Sequence, residues 1–190
     1  MDRQPARLLR STTVALLGGL LATSALLASC GSHPASLKKT AAALLREGVR
    51  LENRGENAAA RHNFAAVLAT KHALTNGYGA VAYYNLGLLD QKERHSALAV
   101  QEYNRAIALA PNYSAALFNL AIIEAASKPA AAISLYQRVL KIQPNNASAM
   151  FNLGLTYFAI GRTADAKVWL RKAIHLDPTL VTRLPSNITL

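Results

Sequence analysis

Three asparagines, Asn85, Asn119 and Asn152, recur at a near-constant interval of roughly 34 residues, and each follows an aromatic ring: Tyr84, Phe118 and Phe151. Three residues beyond each asparagine stands an aliphatic side chain, Leu88, Ile122 or Leu155. An asparagine amide both donates and accepts, so a row of them can pair with the backbone of an extended peptide whatever its side chains are. Each such bond nets only about 0.5 to 1.5 kcal/mol. Apolar burial, at about 25 cal/mol per Å², must then supply most of any affinity. The chemistry offered by these nine residues is recognition.

Bond-making chemistry finds no comparable pattern. His33, His62, His72, His95 and His175 form no His-Xaa-Xaa-Xaa-His pair, no carboxylate accompanies them at metal-ligand spacing, and no glycine loop resembles a phosphate cradle. Cys30 is the only cysteine, which excludes an intrachain disulfide and a cysteine-based metal site. We therefore expect no enzymatic activity, no metal and no cofactor. The triplets at Asn112, Asn146 and Asn187 match a glycosylation pattern but read more simply as asparagines at helix junctions.

The aromatic-asparagine phrase is one mark of a longer period. It returns with a close at Pro111, Pro144 and Pro178, at that same interval to within one residue. A fixed period of that length means stacked helical hairpins, because one hairpin cannot bury its apolar face alone. Hydrophobic content of 52% with only 6% aromatic favours the Ala and Leu that closely packed helices need, and beta-branched alternating runs are lacking, so the expected class is all-α.

The first full unit, 80–113, places Tyr83, Leu86 and Gly87 on one side of its first helix and Ala99, Tyr103 and Ala106 on one side of its second. Gly87 and Ala99 are expected where the two helices cross. The next unit, 114–146, carries Leu117, Leu120, Ala121, Ala132, Tyr136 and Val139, and is one residue short between Glu124 and Pro129. Pro129 is tolerated at a helix start. The third, 147–180, carries Met150, Leu153, Gly154, Tyr157, Ala166, Leu170 and Ala173, with Gly161 closing its first helix and Thr163 as the expected N-cap of its second.

This order of aromatic, Leu-Gly, Ala, aromatic, Ala and Pro resembles the tetratricopeptide repeat. The resemblance implies a right-handed superhelical solenoid of helix-turn-helix repeats whose first helices line a concave groove. It implies that Tyr84, Asn85, Leu88, Phe118, Asn119, Ile122, Phe151, Asn152 and Leu155 face a protein or peptide partner there. The bland reading makes the asparagines repeat structure and the rings core. Some members of the family grip a terminal carboxylate with Lys, Arg and Asn, but here Tyr84, Leu88, Ser148 and Asn152 stand at the matching offsets, which disfavours that mode. Residues 40–79, with Leu44, Gly48, Leu51, Gly55, Ala60 and Phe64 at repeat offsets, read as a degenerate first repeat and linker. The tail, 181–190, is expected to fold back over the last helix, there being no evident capping helix.

Ahead of the array, Arg3, Arg7 and Arg10 precede an apolar stretch from Val14 to Leu27, broken by Gly18-Gly19, and the run ends Leu27-Ala28-Ser29-Cys30. That is a signal peptide over 1–29, too short and glycine-broken for a membrane span. Its last four residues resemble the lipobox of bacterial lipoproteins, which implies acylation of Cys30 and an extracytoplasmic, membrane-anchored chain, with 30–39 as anchor and spacer. Loss of the signal segment leaves +9 of the net +11 charge. Nucleic acid is then a poor partner for want of a shared compartment.

The composite expectation is a noncatalytic, membrane-anchored scaffold of the cell envelope holding a protein segment in its groove. One alternative is a self-associating structural lipoprotein, a possible homo-oligomer joined through an uncovered carboxyl-terminal face. The other is an accessory subunit that positions a wall-active enzyme and presents Arg105, Arg138, Lys141, Lys167, Arg171 and Lys172 as a basic ridge.

Overall fold

The computed structural model describes residues 40–75 and 77–190, which lie in one compact unit, Lys38–Leu190. The signal segment, Cys30 and the spacer lie outside the described residues. Among those described there is no strand. Eight α-helices follow in order: α1 (Ala41–Asn53), α2 (Asn57–Leu68), α3 (Tyr78–Lys92), α4 (Ser96–Leu109), α5 (Ser114–Glu124), α6 (Pro129–Ile142), α7 (Ala147–Ala159) and α8 (Thr163–Leu176). A 3-10 helix, Pro178–Arg183, ends the series. Each helix packs on its neighbours in the chain, which makes a solenoid of four helix pairs.

Local chemistry sets the helix ends. Thr40 Oγ1 accepts from the amide of Ala43 at 3.3 Å and Asn146 Oδ1 from that of Ala149 at 2.8 Å, each satisfying a donor that the first turn leaves free. Pro129 occupies the first turn of α6, where its missing amide hydrogen costs nothing. The turns inside the first and last pairs pass through Gly55 and Gly161 at φ +78°, and Arg94 takes the same place in the second pair at φ +64°, a left-handed conformation that costs a side chain some strain. Two boundaries differ from expectation. Thr163 is the first helical residue of α8, with Arg162 as N-cap, and α3 begins at Tyr78, so that Tyr78 and Gly79 belong to the helix.

Within each pair the helices meet through a small residue against a large one. A Cβ built on Gly48 would stand 2.5 Å from the Phe64 ring, one on Gly87 2.7 Å from the Tyr103 ring, and one on Gly154 2.7 Å from Leu170 Cγ. Spacing alone sets Gly87 beside Ala99, whereas the structure sets it under Tyr103. In the third pair Ala121 and Tyr136 share one buried cluster. The same small-on-large contact recurs between α1 and α2, through Gly48 and Phe64.

After α8 the chain turns back. Leu180 and Ile188 are buried with Met150, Phe151, Leu170 and Ala173, and Leu184 and Leu190 pack on them. The tail therefore covers the last helix pair, the face on which the self-associating alternative relies. Because successive helices run in opposite directions through short turns, the starts of α1, α3, α5 and α7 and the ends of α2, α4, α6 and α8 share one edge of the stack.

Candidate functional site

The first helices carry the nine predicted residues, but unequally. Asn85 is 7% exposed, and its Nδ2 donates to the Val81 carbonyl one turn back at 2.7 Å, so its amide serves the helix. Phe151 is 1% exposed beneath the folded tail, with the Arg183 guanidinium 5.3 Å from its ring centre. Burial thus withdraws Asn85 and Phe151 from the surface. Tyr84, Leu88, Phe118, Asn119, Asn152 and Leu155 are partly exposed, and Ile122 is exposed.

Tyr84 and Asn119 come together across the repeat boundary. Asn119 Nδ2 donates to Tyr84 Oη at 3.4 Å, a long bond between α5 and α3. The Tyr84 ring is held by Tyr113 at 5.0 Å and Tyr103 at 6.0 Å between centres, and Phe118 meets Tyr136 edge-on at 5.9 Å. Tyr103 is fixed in turn by donating to Gln91 Oε1 at 2.7 Å. Tyr84, Ser114, Ala115, Phe118, Asn119, Gln143 and Asn146 line a cleft of about 220 Å³. An apolar hollow of about 450 Å³ is lined by Ala80, Val81, Pro111 and Tyr113 among others, Tyr113 being the ring that packs on Tyr84. Gln143 and Asn146 enter through the turn before α7. Their signal in the sequence is only the repeat of the Pro-Asn turn, which reads as punctuation.

The tyrosines are held neutral. Burial raises Tyr84, Tyr103 and Tyr136 above the ordinary phenol range and pushes Tyr113 up to about 12, while the Asn119 bond partly opposes the effect at Tyr84. A folded pKa above the unfolded value near 10 means that this stability is complete below pH ~10 and lost as pH rises through the folded values. Each phenol kept protonated contributes a slope of ~1.4 kcal/mol per pH unit in that window. We expect cooperative loss of helicity above pH ~10, with tyrosinate absorbance rising in step with loss of circular dichroism. Tyrosinate appearing fully while helicity persists would contradict the burial described.

Among the described residues, those that could hold a metal lie at the end of α3. Asp90, Glu93 and His95 offer ligand atoms within 4.8 Å of one another, a grouping that spacing alone does not single out. The place is taken by a cation already: Arg61 Nη2 stands 2.9 Å from Asp90 Oδ1 and 2.9 Å from Glu93 Oε2. The contact ties α2 to α3. The predicted basic ridge is likewise partly engaged within the fold, since Arg105 pairs with Glu102 at 2.7 Å and Arg138 donates to the Pro111 carbonyl at 2.8 Å. Asn146, a glycosylation-pattern residue, is occupied in capping α7.

Comparison with known proteins agrees with this geometry. Family models described as tetratricopeptide repeat match residues 124–181 and 80–113. No curated protein matches the chain in sequence. Among solved structures, MamA superposes with a TM-score of 0.64 at 24% identity, covering 75% of this chain and 81% of that one. MamA from Desulfovibrio magneticus RS-1 gives 0.63 at 19% identity, over 73% and 76%. YrrB, described as a TPR protein with an unusual peptide-binding site, gives 0.62 at 25% identity, over 76% and 75%.

Proposed function

We propose that this chain, which carries tetratricopeptide repeats, is a noncatalytic scaffold that holds an extended segment of a partner protein against the face of α3, α5 and α7. The observation that carries the reading is the pairing of Tyr84 with Asn119. A hydroxyl that accepts from Asn119 Nδ2 keeps its own proton to donate, and Asn119 Oδ1 keeps its lone pairs. Together they offer one donor and one acceptor, the complement of a peptide unit, in the wall of the polar cleft. Buried rings fix both groups, so little ordering cost is left to the moment of binding. The peptide-binding description of YrrB supports the same reading.

The scaffold works at a membrane. The support for this is in the sequence: the basic start, the apolar run and the Leu27-Ala28-Ser29-Cys30 box argue for an acylated Cys30 on the extracytoplasmic face, in service of envelope assembly. One acyl chain binds marginally, at about 0.8 kcal/mol per buried methylene, and two or more hold firmly.

Ala115 lines the cleft at the second residue of α5, and a longer side chain there fills the cleft without removing any core atom. Ala115→Arg is expected to weaken partner capture from membranes at least about tenfold, which is ~1.4 kcal/mol, with helicity and melting unchanged. Capture at parental strength would remove this cleft from the account.

A further inference from the structure

The two edges of the helix stack differ in what they expose. The edge built from the starts of α1, α3, α5 and α7 presents Leu74, Leu109, Ile142 and Leu176, all exposed. The last three occupy one repeat position, two residues ahead of each closing proline. Leu74 and Leu109 converge, since a Cβ built on Gly79 would lie 3.1 Å from a methyl of each. Among them stand Lys71 and Lys141, for which the described residues provide no carboxylate partner, and Arg138, which reaches to the Pro111 carbonyl. The carboxylate at this edge is Asp177, whose Oδ1 accepts from the amide and hydroxyl of Thr179 at 3.1 and 2.6 Å.

The opposite edge holds Glu52, Glu56, Asp90, Glu93, Glu124 and Asp165. Most of these are matched there by Arg54, Arg61, Lys128 or Arg162. The opposite edge also exposes Leu98 and Ile160 and carries Lys92 and Arg94, so that its cations and carboxylates balance, whereas the first edge sets its apolar row among cations that lack such compensation.

We propose that the apolar, basic edge rests on the headgroup and outer acyl layer of an anionic bilayer. Aliphatic side chains that dip below the headgroups, ringed by lysines that meet lipid phosphates, are what such a boundary accepts. A lipid surface is favoured over a protein by the chain that leads in. Thr40 caps α1 at this edge, and Cys30 stands ten residues before it, so an acyl group on Cys30 keeps this edge within about 35 Å of the membrane. In that respect the inference rests on the anchor reading above, whereas the surface itself does not.

The test uses the full chain with Trp169→Phe, which removes the single tryptophan, in phosphatidylglycerol and phosphatidylethanolamine vesicles with brominated acyl chains. Ile142→Trp reports from the proposed edge and Ile160→Trp from the opposite one, at sites of matched exposure, 38% and 42%. Quenching of the tryptophan at 142 is expected to exceed that at 160 at least about threefold, and Leu109→Trp is to behave like Ile142→Trp should the latter misfold. Equal quenching overturns the proposal, as does a tryptophan at 142 shielded from aqueous iodide but untouched by bromine, which would mean that a protein covers the row. Repeating the comparison with Cys30→Ser separates the two readings. A contrast that survives without Cys30, in a chain found to carry no acyl group, leaves the edge and removes the anchor. Firm attachment through Cys30 with no contrast leaves the anchor and removes the edge.

Discussion

Leucine in place of Gly87 is expected to lower the free energy of unfolding by about 3 kcal/mol or more. A Cβ at this position would lie 2.7 and 2.8 Å from two carbons of the Tyr103 ring. That ring cannot yield, because it is fully buried, its hydroxyl is held by Gln91 at 2.7 Å, and Tyr84 packs on it. The added atoms can only be accommodated by parting α3 from α4, and in a stack each repeat is stabilised by its neighbours, so the loss spreads beyond one pair. The denaturant midpoint followed by circular dichroism reads this out. A midpoint matching the parent would contradict the packing, and since Tyr84 rides on Tyr103, the variant also tests whether the cleft depends on that contact.

Removing Arg61 is the second large change. Asp90 is 2% exposed, and Arg61 Nη2 is its counter-charge at 2.9 Å. Taking one partner from a buried pair costs about 3 to 5 kcal/mol, and the partial exposure of Arg61 reduces this to about 2 to 3 kcal/mol. Most of that cost is an unpaired carboxylate at the α2 and α3 junction. Asp90→Asn placed on Arg61→Ala should therefore recover a part of it, a coupling of about 1 kcal/mol or more in a double-mutant cycle. Additive losses in the cycle would mean that the two residues stabilise the junction independently.

The legible parts of the structure were those governed by period and local stereochemistry. Leu86, Leu120 and Leu153 return at repeat spacing, and each lies in the buried core. Pro129 opens α6 and Gly161 closes α7 through backbone rules that need no tertiary context. What escaped were contacts between residues without a period. The tail is expected to fold back, but nothing local tells that Ile188, beyond Pro185, is the residue that returns to bury Phe151, because that contact is set by the apolar face α7 and α8 leave open. Arg61 and Asp90 stand far apart in the chain and in dissimilar surroundings, and only the stacking of α2 on α3 pairs them.

Within the candidate site the same division holds. The aromatic-asparagine phrase locates the face, yet identical offsets do not have identical environments. Asn85 turns inward to the Val81 carbonyl one turn back in its own helix, whereas Asn119 meets the hydroxyl of Tyr84 from the preceding repeat. Phe118 stays at the surface and Phe151 does not, because only the last repeat has a tail to cover it. The part of this face that stays exposed is narrower than the periodic rows imply and is centred on the boundary between the second and third helix pairs.

The central claim is that a partner segment lies against Tyr84 and Asn119 at the membrane. Photocrosslinking from a reactive residue at Phe118, in native membranes holding the full chain, tests it most directly, with the same residue at Val168 of α8 as control. The account predicts one discrete adduct from position 118, abolished by Ala115→Arg, and none from position 168. Adducts of equal yield from both positions, or an adduct at 118 indifferent to Ala115→Arg, would contradict it.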